Sequence, residues 1–510
     1  MVAASIGAPR WRDGDIWVAH VAWSGDATYR VDRITDSVTQ VGGGELLRPG
    51  EVVLGAGDEL AAPDVLFAYS RQGMDGVAAA FHTWLRSRPS HPRSPRPFVL
   101  NTWEAVYFDH DPATVMALAE RAAAVGVERF VLDDGWFAGR RDDTTSLGDW
   151  TVDRTVWPHG LAPLAARVHE LGMQFGLWFE PEMVSLDSDL ARSHPDWLLH
   201  DPRHIDHDPR LSWRTQFVLD LAHPGARVHV LGQISALVEE LGIDFIKWDH
   251  NRDLVEAVHD GRPGVHAQTR ALYGILDELK QRHPELEIES CSSGGARTDL
   301  GILQRTDRVW ASDSNDPVER QDIQRWTGLL LPPELVGAHV GPAESHSSGR
   351  VTPLSYRVAT SLMGSAGLEW NILDCSDEEI AAITAFGRLY KELRSVVHGG
   401  RTVHPELRDP SWRATGYVTS ERDAAVVVVA TVASLEDARA ERLRIPGLDP
   451  ARRYRVRVRR EIGDAAYGWI APPWFTSGEV ELSGAALAEI GLQLPTLWPV
   501  QAFVLHLVGL

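Results

Sequence analysis

The chain has 510 residues, enough for two or three domains, and 44% of them are hydrophobic, as in ordinary globular proteins. A net charge of −21 argues against nucleic acid or an anionic membrane as a partner. Two cysteines are too few for a disulfide framework, and no apolar run reaches the ~20 residues of a transmembrane helix. No secretory leader is visible, so we expect a cytoplasmic protein that acts on a small neutral molecule.

Residues 1–88 predict a small β-domain followed by a helix. Alternating apolar residues predict strands within 15–25, 28–34 and 64–70, and the glycines at 42–44 are predicted to break the strand pattern. A short amphipathic helix follows from Gly76. Four prolines between positions 89 and 97 then form a stiff linker, and we place the first domain boundary there.

Strand and helix patterns alternate regularly through residues 89–395. Eight apolar strand candidates lie at 98–103, 129–136, 174–182, 244–249, 287–295, 308–313, 335–341 and 367–372. This order predicts an α/β fold, a (β/α)8 TIM barrel. A doubly wound open sheet is the structural alternative. It usually carries a nucleotide-binding glycine loop, and the sequence has neither G-x-G-x-x-G nor a Walker A motif.

The pattern changes again after the barrel. A helix capped by Ser376 or Asp377 ends the regular alternation. After it the sequence returns to strands, including a continuous apolar run at 424–431. Residues 396–510 therefore predict an antiparallel β-domain.

Polar side chains follow the apolar runs of the strand candidates, one group after another. They are Trp103 with Glu104, Asp133 with Asp134, Glu180 with Glu182, Lys247 with Asp249, Cys291 to Ser293, Asp313, His339 and Asn371. In a (β/α)8 barrel the carboxyl ends of the strands form the face that carries the active site. Strand alternation puts Lys247 and Asp249 on one face and Trp248 on the other. A purely structural ion pair between Lys247 and Asp249 is the alternative.

The acidic content of this cluster indicates glycoside hydrolysis. His204 and His207 share one loop, for which a solvated loop is a better interpretation than a metal site, and no G-x-S-x-G nucleophile elbow is present. Two carboxylates that face each other across a barrel mouth are the minimum equipment for hydrolysing a glycoside. Asp249 and Asp313 are the candidates, and this chemistry needs no cofactor and no metal.

Several motifs resemble glycoside hydrolase family 36, the bacterial-type α-galactosidases of clan D. The segment KWDHNR at 247–252 resembles the nucleophile motif of that family, and WASDSNDPVERQDIQ at 310–324 resembles its acid/base motif. Further matches in the same order are FVLDDGWF at 130–137, WFEPEM at 178–183, RTQFVLD at 214–220, SCSSGG at 290–295 and VGAHVGP at 336–342. The resemblance extends over roughly 15 to 510.

This resemblance implies a retaining α-galactosidase acting on melibiose- or raffinose-type galactosides. Asp249 is similar to the nucleophile and Asp313 to the general acid/base. The implied sugar-binding residues are Asp133 and Asp134 for the galactose hydroxyls, Trp178 as an aromatic wall, and Arg214, Lys247, Asn251, Cys291, Ser292, Ser293 and Gly294. The expected partner is a small α-galactoside, and the family often forms homo-oligomers.

Some alternatives stay open. Family members usually carry a larger N-terminal β-supersandwich, and residues 1–88 match only its last part. A transglycosylase would differ only in what attacks the glycosyl-enzyme, and a silent sugar-binding protein would keep the same barrel. Among single residues, Cys291 also fits a small core position, Asp316 fits a cap for the helix that begins at Pro317, and Asp133 fits an outward strand end.

Overall fold

Eight parallel strands close into a barrel at the centre of this computed structural model, which describes residues 1–35, 38–201 and 214–510. The strands are β1 Val99–Asn101, β2 Arg129–Leu132, β3 Gln174–Phe179, β4 Phe245–Trp248, β5 Glu287–Ser290, β6 Arg308–Trp310, β7 Val336–Val340 and β8 Ser365–Leu368. Each pairs with the next in the chain, and β8 pairs with β1. The predicted TIM barrel is confirmed, and because the sheet closes the open-sheet alternative is wrong.

The strands are shorter than the apolar patterns that predict them. In β2, for example, the ladder ends at Leu132, and the two aspartates of the predicted strand 129–136 lie in the loop that follows. The residues of β4 are buried on both faces, as expected of a parallel strand that is covered by helices. Strand ends and polar loops therefore meet at one face of the barrel.

Helices surround the barrel, and several of them begin at a side-chain cap. The longer ones are Pro112–Ala124, Ala162–Glu170, Pro224–Leu241, Val265–Arg282, Pro317–Thr327, Leu354–Ser361 and Asp377–Gly399, with short helical turns at Trp103–Val106, Asp189–Ser193, Pro195–Trp197, Ile302–Gln304 and Pro333–Leu335. Asp316 caps its helix by accepting from the Val318 amide, as one of the alternatives predicted. Ser376 and Glu379 form a capping box. In the described part of the chain, no helix is long and apolar enough to cross a membrane.

Two small two-stranded sheets extend the loops that follow β3 and β4. Met183–Ser185 pairs with Gln216–Val218, and Val258–His259 pairs with Arg262–Pro263. The first of these sheets lies between β3 and β4 in the chain. It places the Gln216 side chain against Glu180, which follows β3 directly.

The N-terminal region consists of two small sheets and one helix. Val2–Ser5, Ile16–Val21 and Val65–Ser70 form an antiparallel sheet, Ala27–Arg33 pairs with Thr39–Glu45, and the helix is Gly73–Ser87. The predicted break at 42–44 is wrong. These glycines lie inside the strand Thr39–Glu45, and cross-strand pairing overrides their weak strand preference.

The C-terminal domain is an antiparallel sheet of six strands, as predicted. In spatial order they are Arg401–Val403, Trp412–Val418, Ala424–Thr431, Ala502–Gly509, Arg453–Arg459 and Glu479–Ser483. Smaller elements are the strand pair Arg442–Leu443 with Leu492–Gln493, the helix Pro473–Ser477 and the turn Ala486–Ile490. Val426 and Val428 join the core of the barrel, whereas Val427 and Val429 pack in a separate core. Alternation along one strand therefore fixes this domain to the barrel.

Candidate active site

The predicted catalytic and sugar-binding residues meet at the mouth of the barrel. Lys247 is the last residue but one of β4 and Asp249 follows the strand directly, Asp133 follows β2, Cys291 follows β5, and Asp313 lies three residues after β6. Because the strands are parallel, their carboxyl ends share one face and these side chains converge there.

Asp249 is a buried carboxylate that is surrounded by donors. The His250 amide donates to Oδ1 at 2.8 Å, and the side chains of Asn251 and Trp178 donate to Oδ2 at 2.8 Å and 3.2 Å. Burial would favour the neutral acid, but the charge of Lys247 and these hydrogen bonds outweigh it and lower the pKa of Asp249. Asp249 is therefore ionised at neutral pH and suited to nucleophilic attack.

Asp313 keeps its proton to a higher pH than Asp249 does. The Trp310 indole donates to its Oδ1 at 3.0 Å, and the Cys291 sulfur lies 4.0 Å from the same oxygen. Although Asp313 is the more exposed of the two residues, partial burial of its carboxyl group, followed by the charge of Asp249, raises its pKa to about 6. Two carboxyl groups whose pKa values are driven apart are what an acid and a nucleophile require.

Lys247 is paired with Asp133 rather than with Asp249. Its Nζ lies 2.8 Å from Asp133 Oδ2, and both side chains are almost fully buried. Trp248 points to the opposite face, as alternation predicts, and its indole donates to Glu182 at 2.9 Å. The alternative in which Asp133 faces outward is wrong, because its carboxylate reaches across the barrel mouth to β4. The structural pair between Lys247 and Asp249 is likewise not the contact observed.

Asp134 is held by an arginine that the sequence patterns did not single out. Arg140 Nη2 lies 2.8 Å from Asp134 Oδ2, and Arg140 Nε lies 3.0 Å from Oδ1. Both residues are buried, so the carboxylate is fixed in one orientation. The only sequence signal was an arginine shortly after the aspartate pair, in a loop with no periodicity.

The loop after β5 contacts the segments that carry the two candidate catalytic carboxyl groups, those of Asp249 and Asp313. The amide and hydroxyl of Ser293 both donate to Asn251 Oδ1 at 3.1 Å, and the Ser292 hydroxyl donates to the His250 carbonyl at 2.9 Å. Gly294 has φ of +77°, and a Cβ there would lie 2.5 Å from the Asp313 amide nitrogen. Only glycine permits this close approach of the two backbones.

Cys291 lies between the same two carboxyl groups. It is buried, its sulfur approaches Asp313, and its thiol contributes to lowering the pKa of Asp249. Burial and the charges of Asp249 and Asp313 raise its own pKa well above the usual range, so it stays a thiol. Cys291 thus packs like a small core residue and also contacts the site.

Two carboxylates after β3 support the floor of the site. Glu180 accepts hydrogen bonds from the backbone amide of Asn251 and from the side-chain amide of Gln216, both at 2.7 Å. Burial, followed by the charge of Asp249, raises the pKa of Glu180 to about 8. Glu182 instead accepts from Arg297 at 2.7 Å and stays ionised, because that cation outweighs burial and lowers its pKa.

The remaining predicted residues differ in their distance from the carboxyl groups of Asp249 and Asp313. Arg214 is near the mouth, where its Nε lies 3.1 Å from Asp143 Oδ2. Trp178 is only 2% exposed and contacts Asp249, so its role as a sugar-facing wall stays a prediction. Asn371 is not part of the cluster, because its amide donates to Asp374 within a local turn. His204 and His207 lie outside the described residues.

Three polar residues behind Asp313 were not predicted or not assigned a role. Asn315 donates to Glu104 at 2.8 Å and approaches Glu369 Oε2 at 3.3 Å. The signal for Glu369 was present, since a charged residue interrupts an apolar run at the end of β8. Within the described residues, no group of three or more His, Cys, Asp or Glu side chains is arranged to hold a metal ion.

Comparison with known proteins covers nearly the whole chain. Residues 59–400 match the Melibiase family model, and residues 412–507 match the glycosyl hydrolase family 36 C-terminal domain. An α-galactosidase of Escherichia coli is 39% identical over 514 residues, which is 99% of this chain and 72% of that protein. Mel36A of Lactobacillus acidophilus is 35% identical over 87% of this chain and 61% of its own length.

Solved structures agree with the sequence relatives. The family 36 α-galactosidase AgaA of Geobacillus stearothermophilus superimposes with a TM-score of 0.90 at 31% identity, over 100% of this chain and 69% of AgaA. The chain thus spans between 61% and 72% of the length of these three relatives. Family models that match most of the chain and relatives above 30% identity establish its membership. The chain belongs to glycoside hydrolase family 36, the melibiase family.

Proposed function

We propose that the chain is a retaining α-galactosidase that removes terminal α-galactosyl residues from small galactosides. The observation that carries this proposal is the pair Asp249 and Asp313, one held ionised by donors and a lysine and the other held protonated to about pH 6. The names of the relatives support the substrate. They are α-galactosidases, and variants of AgaA have been crystallised in complex with raffinose and with stachyose.

The reaction proceeds in two displacements. An oxygen of Asp249 attacks the anomeric carbon while Asp313 gives its proton to the departing glycosidic oxygen, so a β-galactosyl ester forms and the aglycone leaves as an alcohol. Asp313, now ionised, takes a proton from water as the water oxygen attacks the same carbon. The ester breaks, galactose leaves in the α-configuration, and both carboxyl groups return to their first states.

The interaction of Cys291 with both carboxyl groups is compatible with retention. The Cys291 thiol contributes to lowering the pKa of Asp249 and lies 4.0 Å from Asp313, so a single small side chain contacts both groups. Retaining enzymes hold these groups about 5–5.5 Å apart, whereas inverting enzymes leave about 6.5–9.5 Å for a water molecule. The proposal places Asp249 and Asp313 in the retaining class, and the anomer formed in azide rescue tests this assignment.

The fixed carboxylates beside the pair support recognition of a sugar. Asp133 is oriented by Lys247 and Asp134 by Arg140, so each presents acceptor oxygens in a defined direction. Carboxylates oriented in this way accept sugar hydroxyls with little further loss of side-chain freedom. We assign them to the hydroxyls of galactose, including the axial O4 that distinguishes it from glucose.

The test is release of nitrophenol from p-nitrophenyl α-galactoside, compared with the α-glucoside and β-galactoside. We expect turnover on the first and almost none on the other two. No turnover on any of the three would overturn the proposal and favour a silent sugar-binding protein. Product analysis with raffinose separates hydrolysis from transglycosylation, because only hydrolysis yields free galactose as the main product.

A further inference from the structure

A pair of buried carboxyl groups lies behind the acid/base residue and has no part in the two displacements. Glu104, in the short helix after β1, and Glu369, directly after β8, are 8% and 2% exposed. The side-chain nitrogen of Asn315 approaches both, at 2.8 Å from Glu104 Oε1 and 3.3 Å from Glu369 Oε2. One amide group therefore bridges two acids.

The two acids differ in their other partners. Glu369 accepts from Asn101 at 2.8 Å, and its second oxygen lies 3.0 Å from His339 Nδ1. Glu104 Oε2 is buried without a hydrogen-bond partner in the described part of the chain. The backbone at Gly341 lies close to this oxygen, because a Cβ added there would be 3.1 Å from Glu104 Oε2. An ionised carboxylate with a bare, buried oxygen is costly, whereas the neutral acid is much less so.

We propose that Glu104 is a positioning residue that carries the one proton shared by this pair, and that the protonated state holds Asn315 and with it the loop of Asp313. Two ionised carboxylates bridged by one amide would repel each other in a buried site, so one must be neutral. The donors converge on Glu369, which leaves the proton on Glu104. This inference rests on the proposed function only where it is tested by measuring turnover of a galactoside.

The charges around the pair agree with this distribution. Burial, followed by the charge of Glu369, raises the pKa of Glu104 to about 8, although Asn315, Arg320 and Lys247 act in the opposite direction. Burial also disfavours the ionised form of Glu369, but His339 and Lys247 outweigh it and lower that pKa to about 2.

Further titratable groups face the pair. The charge of Glu369 contributes to raising the pKa of Asp133 and of Asp313, and beside both acids lies the phenol of Tyr107. Burial and the charges of Glu104 and Glu369 raise its pKa to about 12, so it stays neutral through the range in which Glu104 titrates.

The connection to Asp313 runs through its own loop. Arg320 donates to the carbonyl oxygens of Ser312 at 2.7 Å and Ser314 at 2.6 Å, and its Nη2 lies 3.5 Å from Asn315 Oδ1. The loop is thus held by Arg320 on one side and by the acid pair on the other. A second negative charge at Glu104 would push the acids apart, release Asn315 and misalign Asp313. Turnover should fall, with little effect on binding of the sugar.

The experiment compares pH profiles of kcat and KM on p-nitrophenyl α-galactoside for the wild type and two variants. Glu104→Gln keeps the shape of the side chain and an acceptor oxygen for Asn315, but it cannot ionise. Glu319→Gln is the matched control, because Glu319 is exposed and accepts at 2.7 Å from Ser314 in the same loop. Glu180 titrates in the same range in all three proteins, so the comparison uses differences between profiles.

We expect Glu104→Gln to keep kcat within about threefold of the wild type at the optimum. Above about pH 8 the slope of log kcat against pH should be less steep by one unit in Glu104→Gln than in the wild type and in Glu319→Gln, with KM unchanged. Identical slopes in the wild type and Glu104→Gln would overturn the proposal. So would a loss of kcat in Glu104→Gln at every pH, because a neutral side chain would then not suffice.

A second measurement needs no turnover. In the infrared spectrum of the protein at pH 7, protonated Glu104 and protonated Glu180 should both contribute to the protonated-carboxyl band. Glu104→Gln should therefore reduce this band by the contribution of one carboxyl group, and Glu319→Gln should leave it unchanged. An unchanged band in Glu104→Gln would place the proton elsewhere and refute the inference. If the wild type fails to cleave any galactoside, the proposed function fails, yet this band still decides the protonation of Glu104.

Discussion

The buried pair Lys247 and Asp133 gives the most demanding prediction for stability. Their side chains are 7% and 3% exposed and their charged atoms lie 2.8 Å apart. The value of about 0–1 kcal/mol for exposed pairs therefore does not apply. Removing one partner of a buried pair costs about 3–5 kcal/mol, because the other charge is left uncompensated. We expect Lys247→Met to lower the free energy of unfolding by that amount at pH 7.

The two single variants should not be equal. Lys247 is also near Glu369 and Asp249, which partly compensate it in Asp133→Asn, whereas Asp133 has no second cation among the groups that shift its pKa. Lys247→Met should thus cost more than Asp133→Asn. Its cost should shrink as the pH falls, because without the lysine the pKa of Asp133 rises further and the carboxyl group takes up a proton.

The free energies of unfolding of the wild type, the two single variants and the double variant, measured with denaturant, form a double-mutant cycle. We expect the double variant to lose about 2–3 kcal/mol less than the sum of the single losses. A loss below about 1 kcal/mol in Lys247→Met would refute the reasoning, since the pair would then behave like an exposed one. A larger loss in Asp133→Asn than in Lys247→Met would refute the assigned asymmetry.

Three further predictions concern the catalytic carboxyl groups and metal ions. The value of kcat/KM should fall as the pH rises through about 6, where Asp313 loses its proton. Trp310→Phe should shift this fall to a pH about one unit higher, because it removes a hydrogen bond of about 1.4 kcal/mol to the ionised form of Asp313. An unshifted pH profile would contradict the contact between Trp310 and Asp313. Gly294→Ala should reduce kcat at least about tenfold, since its Cβ would lie 2.5 Å from the Asp313 amide, while Gly172→Ala, with φ of +79° but open space, serves as the control for backbone strain alone. Chelation with EDTA should leave activity unchanged, and a loss that a divalent ion restores would reveal a required metal.

The barrel could be predicted because its signals are local. Each strand is a short apolar run followed by a polar residue, and the closing pair of β8 with β1 follows once eight such runs are present. Catalytic candidates were predictable for the same reason, since Asp249 follows its strand directly and Asp313 lies three residues after its strand.

Partners across the barrel mouth could not be predicted in the same way. Alternation gives the face of Lys247 but not which neighbour on that face its ammonium group contacts, and the contact is Asp133, which is 114 residues away. Arg140 comes from an irregular loop, where no period indicates direction. Glu369 could have been singled out, because it interrupts an apolar run, but the sequence does not show that it lies beside Glu104.

The central claim is that Asp249 is the nucleophile and Asp313 the acid/base, and rescue by azide tests it most directly. In Asp249→Gly, azide replaces the missing carboxylate and attacks from the β-face, so the product should be the β-galactosyl azide.

In Asp313→Gly the galactosyl ester with Asp249 still forms from a substrate with a good leaving group. Azide then attacks this ester from the α-face, and the product should be the α-galactosyl azide, identified by NMR. The same anomer from both variants, or behaviour of Asp316→Gly as the acid/base variant, would contradict the account.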